Sequence, residues 1–302
     1  DRSVSRGLGD VYKRQDFEYY LDKQLEKLQT DSIDIYLLHA LTKNDWDKVR
    51  KLRVLDFLDD SLSNGKIKHV GFSSHTEIDT FVDILDAYPK WEVVLTQMNY
   101  LDEYYQTGVM GLDELKRLNI GSMIMEPLRG GRLVQNIPPE VQKLWNGAEV
   151  KRTPVEWALE YLWNRDDVDC VLSGMNSLEQ VRQNIQIASD VKEISEHDHD
   201  LIREVARTYK TLTGNDCTCC GYCMPCPEDV DIINCFKEYN IGKMLNNPKG
   251  SALQYFTLID DDCRADSCIN CGECEFVCPQ MLDIPQELEK VDGYFGREFN
   301  HF

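Results

Sequence analysis

The sequence predicts an α/β domain built on parallel strands, followed by a small, mainly helical domain rich in cysteine. Three observations predict it. From residue 16 to about 190, helical patterns alternate with short, near-continuous apolar runs, the pattern of strands buried on both faces of a parallel sheet. Eleven of the twelve cysteines lie between Cys217 and Cys278. Between the two regions, Gly214-Asn215-Asp216 interrupts the helical periodicity and sets a domain boundary at 213/214.

The elements follow in order. A helix over 16–29 precedes a strand at 33–39 (IDIYLLH), and a helix over 46–63 leads to a strand at 69–74 (HVGFSS). A helix over 77–87, a strand at 93–99 (VVLTQMN), a helix over 108–118 and a strand at 121–126 (GSMIME) continue the alternation. Thr153 followed by Pro154 supplies an N-cap and a proline at the first helical position for a helix over 154–164. The last strand is read at 169–174 (DCVLSG), and Ser177 with Glu179 and Gln180 caps a helix over 177–189, with a final helical stretch over 196–212. Parallel neighbours need crossovers, so five such units suit either an open doubly wound sheet or part of an eight-unit barrel. Periodicity alone leaves both open. No G-x-G-x-x-G loop follows any of the strands, which counts against a dinucleotide-binding doubly wound domain.

At 302 residues, two domains are expected. A formal net charge of −20, with no run of Lys and Arg to reverse it locally, repels phosphate backbones and anionic lipids, so nucleic-acid and membrane partners are not expected. No stretch reaches the ~20 apolar residues of a spanning helix and no signal-peptide pattern opens the chain, which points to the cytoplasm. Residues 1–15 (DRSVSRGLGDVYKRQ) lack periodicity and contrast with the acidic body. They read as a non-native or disordered leader, resembling translated linker sequence.

The cysteines form two motifs, CTCCGYCMPCP at 217–227 and CINCGECEFVCP at 268–279. A cubane cluster needs three thiolates from one tight loop and a fourth from elsewhere, and C-x2-C-x2-C supplies the three. The second motif matches the bacterial C-x2-C-x2-C-x3-C-P pattern, and the first has one residue fewer before its last cysteine. Paired C-x2-C elements also build zinc ribbons, and a disulfide framework is a further alternative. Each motif ends in Cys-Pro, as the ferredoxin motifs do, and nothing else in the chain looks secreted. Two [4Fe-4S] clusters are therefore expected. In two-cluster ferredoxins the fourth cysteine of each motif ligates the other motif's cluster. Carried over, one cluster takes Cys217, Cys220, Cys223 and Cys278, and the other Cys268, Cys271, Cys274 and Cys226. Cys170, Cys219, Cys235 and Cys263 are left as spectators. Segments such as 232–239 and 252–259 between the motifs read as helices, giving a helical ferredoxin-like module over 214–290 and a tail over 291–302.

The first domain, over 16–213, resembles the aldo/keto reductases, and the whole chain is similar to a subfamily in which such a reductase is fused to a C-terminal 4Fe-4S ferredoxin-type domain. The resemblance rests on LEKLQTDSIDIYLLHAL at 25–41, GKIKHVGFSSH at 65–75, QMNY at 97–100, MEPLRGGRL at 125–133, VLSGMNSLEQVRQN at 171–184 and both cysteine motifs. It implies a (β/α)8 barrel that binds NADP(H) or NAD(H) at the C-terminal ends of its strands. The five strands correspond to strands four to eight, so the chain is expected to be an N-terminally truncated, incomplete TIM barrel.

Of the family's catalytic Asp, Tyr, Lys and His, only the histidine is carried over, as His39. On residues alone, His39 would read as a structural histidine. The other three belong to strands two and three, and Tyr12 and Lys13 in the leader are not their counterparts. Ser73 and Gln97 match positions that hold the nicotinamide carboxamide, with Ser74 in place of a frequent asparagine. Leu128 matches the residues that border the ring and pyrophosphate, while Met125 and Glu126 stand where many members place a stacking tyrosine. Gly174, Ser177 and Asn184 match the adenosine-phosphate loop and the adenine contact. Asn176 and Gln183 replace a frequent basic residue and glutamate, which leaves NADPH or NADH open.

The function expected of the intact protein is nicotinamide-dependent redox chemistry on a small carbonyl or alcohol, with two clusters exchanging electrons with a redox partner protein. Hydride moves electrons in pairs and clusters take them singly, and no flavin signal bridges the two. The alternative is an iron-sulfur electron carrier whose barrel is an idle scaffold. The chain as it stands is expected to be inactive as a reductase.

Overall fold

In a computed structural model, the structure describes residues 14–278 and 280–296. Most of the leader read over 1–15, Tyr12 and Lys13 included, together with Pro279 and the end of the tail, lies outside the described residues.

The sheet has five strands, β1 (Ile33–Leu41), β2 (Ile67–Ser74), β3 (Val93–Gln97), β4 (Gly121–Met125) and β5 (Cys170–Val171). All four pairings are parallel, and the spatial order is that of the sequence. A doubly wound sheet reverses its strand order at a switch point, and this one does not. Progression in one direction is the arrangement of a β/α barrel wall.

Helices α1 (Arg14–Leu28), α2 (Lys43–Lys51), α3 (Val54–Ser63), α4 (Ile78–Ala87), α5 (Gly108–Leu118), α6 (Pro139–Gly147), α7 (Pro154–Trp163) and α8 (Leu178–Ser189) alternate with the strands. The single helix expected over 46–63 is two helices. Thr42 and Asp45 form a capping box that starts α2 early, and Arg53, in the left-handed region at φ 53°, turns the chain before α3. Each half then buries its own apolar residues, Trp46 and Val49 in α2 and Phe57 and Leu58 in α3. Strand β5 spans two residues, shorter than the 169–174 read from sequence, and pairs with β4 among the described residues.

At the centre, β2 is buried from Val70 to Ser74, with Phe72 against Trp91 (ring centroids 5.0 Å apart) and Phe81 (5.7 Å). Gly71 permits the close approach of β3. A Cβ there would lie 1.9 Å from the Val93 carbonyl oxygen, so no side chain fits.

Two compact units result, one comprising Asp1–Gly130 and Val155–Ile194, the other Gly131–Pro154 and Ser195–Phe302. This differs from a single cut at 213/214. Helix α9 (Glu196–Thr211) packs with α6 in the second unit. There Arg152 Nη1 meets Asp198 Oδ2 at 3.2 Å, with both side chains almost fully buried. The second unit continues with α10 (Ile232–Met244), α11 (Pro248–Leu258) and α12 (Ile284–Phe295). Its core holds Phe236, Tyr255, Ile284, Leu288, Val291 and Phe295. None of the twelve cysteines forms a disulfide.

Candidate functional site

In the first unit, the residues expected to serve a nicotinamide gather at the C-terminal ends of the strands. His39 lies on edge strand β1 and is exposed, followed by Ala40 at φ 51°. A register shift between Leu38 and Leu41 accompanies that turn. Ser73, 3% exposed, is the penultimate residue of β2, and its Oγ accepts from the Ala40 backbone N at 2.6 Å. Gln97 ends β3 and pairs in register with Met125.

A buried polar network surrounds Gln97. Asp102 Oδ2 accepts from Gln97 Nε2 at 3.2 Å, from Asn99 Nδ2 at 3.0 Å, and pairs with Arg129 Nε at 3.1 Å. Asn99 Oδ1 accepts from the backbone N of Leu101 and of Asp102, each at 3.0 Å. These bonds leave Gln97 Oε1 as an acceptor, while Ser73 Oγ, already accepting, retains its hydrogen to donate. One acceptor and one donor on adjacent strand ends complement the two polar ends of a primary carboxamide. Sequence reasoning missed Asp102, Asn99 and Arg129. Asn99 and the run MEPLRGGRL were both in view, but nothing local ties Asp102 to Arg129.

The other expected contacts are less enclosed. Leu128 is half-buried after β4, in a turn where Glu126, Arg129 and Gly130 all have positive φ. Gly174 is exposed, and nothing lies within 4 Å of a Cβ built on it. Ser177 caps α8, accepting from Gln180 N at 3.2 Å, and Asn184 Nδ2 donates to Ser173 Oγ at 3.0 Å. Their polar groups therefore already serve the loop that precedes α8 and the helix itself.

In the second unit, the two cysteine motifs enclose two cavities. One, of about 190 Å³, is lined by Cys223, Cys226, Cys268, Cys271 and Cys274. The other, of about 20 Å³, is lined by Cys217, Cys219, Cys220, Cys223 and Cys278. Cys226 of the first motif thus shares a cavity with Cys268, Cys271 and Cys274 of the second, Cys278 shares one with the first motif's cysteines, and Cys223 lines both. Of the four expected ligands of each cluster one is exposed, Cys220 or Cys271, and three are half-buried against the apolar core. Cys235 sits inside that core, where burial pushes its thiol up to about 12, and Cys263 is half-buried beside it. Cys170 is on the other unit, in β5.

Burial raises the thiol of Cys274 to about 11 and that of Cys223 in the same direction. A hydrogen bond shared by Cys217 and Cys219 raises the former and lowers the latter, and the Cys219 backbone N donates to Cys217 Sγ at 3.4 Å. Among the described residues, no three Cys, His, Asp or Glu side chains converge on a point that could hold a single metal ion. Thiols spaced around a cavity are a different arrangement. A cubane takes one thiolate at each of four irons, so its ligands surround a volume rather than a point. The donor sets are of the chemical kind such a group takes, and the larger cavity has room for one, whereas the smaller holds little more than a water.

No helix among the described residues is long and apolar enough to cross a membrane.

The sequence profile of the Aldo/keto reductase family matches residues 6–207, beginning inside the stretch read as a leader. L-galactose dehydrogenase of Arabidopsis thaliana is 26% identical over 203 residues, a match that spans 61% of this chain and 61% of that relative's length. The holo form of the aldo-keto reductase AKR11C1 from Bacillus halodurans superposes with a TM-score of 0.54 at 22% identity, covering 64% of this chain and 67% of that one. A thermostable aldo-keto reductase solved with the inhibitor epalrestat gives 0.51 at 17% identity, covering 64% and 67%. These structures share the fold over 64% of this chain.

Proposed function

The chain belongs to the aldo/keto reductase family, and from that premise we propose that it serves nicotinamide-dependent redox of a small carbonyl or alcohol, joined to an electron-transfer module with two [4Fe-4S] clusters. The observation that carries the second half is the lining of the two cavities, in which each motif's last cysteine lies among the other motif's cysteines. Zinc would require four ligands converging on one point. The ligand sets are Cys217, Cys220, Cys223 and Cys278 for one cluster and Cys226, Cys268, Cys271 and Cys274 for the other.

A bound nicotinamide would supply the hydride for the carbonyl carbon. The chain's own part is to hold the carboxamide. Gln97 Oε1 would accept from its N–H, the side chain being held in that sense by Asp102, and Ser73 Oγ, which accepts from Ala40 N, would donate to its oxygen. Leu128 would border the ring, Gly174, Ser177 and Asn184 would lie on the adenosine side, and His39 would hydrogen-bond the substrate oxygen.

Anaerobic purification tests the clusters. A broad absorbance at about 400 nm with about eight iron and eight sulfide per chain is expected, and stoichiometric zinc in their place overturns the reading.

A second reading, an iron-sulfur electron carrier on an idle barrel scaffold, is favoured by the exposure of His39 on an edge strand. Titration of the purified chain with NADP(H) and NAD(H) decides between them, since with His39 alone of the catalytic four no turnover is expected on either reading. Saturable nicotinamide binding supports the reductase barrel, and an iron-loaded chain that binds neither supports the carrier.

A further inference from the structure

The mouth of the larger cysteine-lined cavity has an unusual surface. Tyr222, Ile269 and Val277 line it and remain 69%, 61% and 49% exposed. Phe276, between Cys274 and Cys278, is 92% exposed. Large apolar side chains on a monomer surface are ordinary when scattered, but four on the two loops that carry the thiols form a local patch. Its charge is one-sided. Glu228 and Glu273 line the same mouth and are exposed. Residues 216–231 include four Asp or Glu, and residues 265–289 include six, with no Lys or Arg in either segment.

An apolar centre with a single-sign rim is the anatomy of a transient protein interface. The centre supplies contact, and the rim selects and steers a partner of opposite charge. The position of the patch says what such a partner is for, since it lies over the cavity assigned above to the cluster of Cys226, Cys268, Cys271 and Cys274. We infer that this face docks a small one-electron redox protein whose own docking patch is apolar at its centre and rimmed with lysine or arginine. The inference rests on the cluster reading for what passes across the face: one electron leaves the reduced cluster and enters the partner's oxidised centre, or the reverse. The docking itself rests on the surface alone. Small contact area and a charged rim make the complex weak, fast and salt-sensitive, as electron-transfer encounters are.

The test uses the full chain and mitochondrial cytochrome c, a carrier with a lysine-rimmed haem edge. Binding is followed by NMR shifts of labelled cytochrome c at low salt, with iron and sulfide measured on the same samples. A saturable complex is expected that weakens as salt is added. The E228K/E273K variant weakens it by about tenfold, and I269S/V277S weakens it without changing its salt dependence. Because the whole chain carries −20, the E140K/E149K variant, which makes the same charge change at exposed positions elsewhere, serves as the comparison and is expected to change binding by less than about twofold. Absence of a saturable complex, or an equal loss in E140K/E149K, overturns the docking face. Docking by a chain that holds no iron leaves the face standing and removes the cluster reading. Full iron content without docking does the opposite.

Discussion

Asp102 and Arg129 close an ion pair at 3.1 Å across 27 positions of sequence, with side chains only 10% and 19% exposed. The same carboxylate oxygen holds Gln97 and Asn99. Removing the carboxylate leaves a largely buried guanidinium without its counter-charge, whereas removing both partners does not. Asp102→Ala is therefore expected to cost about 2–3 kcal/mol, and the D102L/R129M double variant less than the sum of its single changes by at least about 1 kcal/mol. Urea unfolding of the four species of the cycle checks this, and additive losses would show that the pair is not coupled.

Gly71 gives a sharper steric expectation. With the Val93 carbonyl oxygen 1.9 Å from a Cβ at that position, Gly71→Ala must push β2 and β3 apart. A loss of about 3 kcal/mol or more, or failure to fold, is expected. Thermal melts of the soluble fraction read it out, and a loss below about 1 kcal/mol would mean the strands relax freely.

The cavity linings predict which cysteines act together. Cys278→Ser should remove the cluster that uses Cys217, Cys220 and Cys223, and Cys226→Ser the one that uses Cys268, Cys271 and Cys274. Each should halve the iron, a loss of about four atoms per chain. Cys235→Ser, deep in the core, should leave it whole. If Cys278→Ser and Cys274→Ser instead abolish the same cluster, as their EPR signals would reveal, the motifs do not exchange their last ligands.

Asp198 links stability to pH. Burial alone would raise its carboxyl, but hydrogen bonds from Ser195 and the charge of Arg152 outweigh that and hold it below its ordinary value of 3.8. The folded value is thus the depressed one, so its stabilisation is complete above the ordinary carboxylate range and is lost as pH falls through the folded value. Asp198→Asn should lower stability by an amount that stays constant from pH 7 to pH 5 and shrinks below about pH 4. Urea midpoints of wild type and variant across that range measure the difference. A gap that persists undiminished at pH 3 contradicts the assignment.

How much of this was legible beforehand depended on the reach of the signal. The β/α alternation stood in apolar runs such as IDIYLLH and HVGFSS, because a strand buried on both faces writes its burial into consecutive residues. The two cysteine triplets were equally local. The break at Arg53 was not legible, since 46–63 has helical periodicity throughout and the left-handed turn only separates two buried faces. Helix α6, opened by Pro138 and Pro139, went unread, as did its pairing with α9, so the expected boundary at 213/214 missed the 131–154 segment that packs with the second unit.

By itself the sequence determined the parallel α/β class, the acidic character and the position of eight cysteines in two motifs, because these follow from periodicity and spacing within a few residues. The tertiary structure decided what distant residues do together. It gave the strand order its single direction, brought Arg129 to Asp102 and Gln97, and placed Cys226 and Cys278 each in the cavity of the opposite motif. Such pairings depend on chain reversals and on packing around a shared core, which no local pattern encodes.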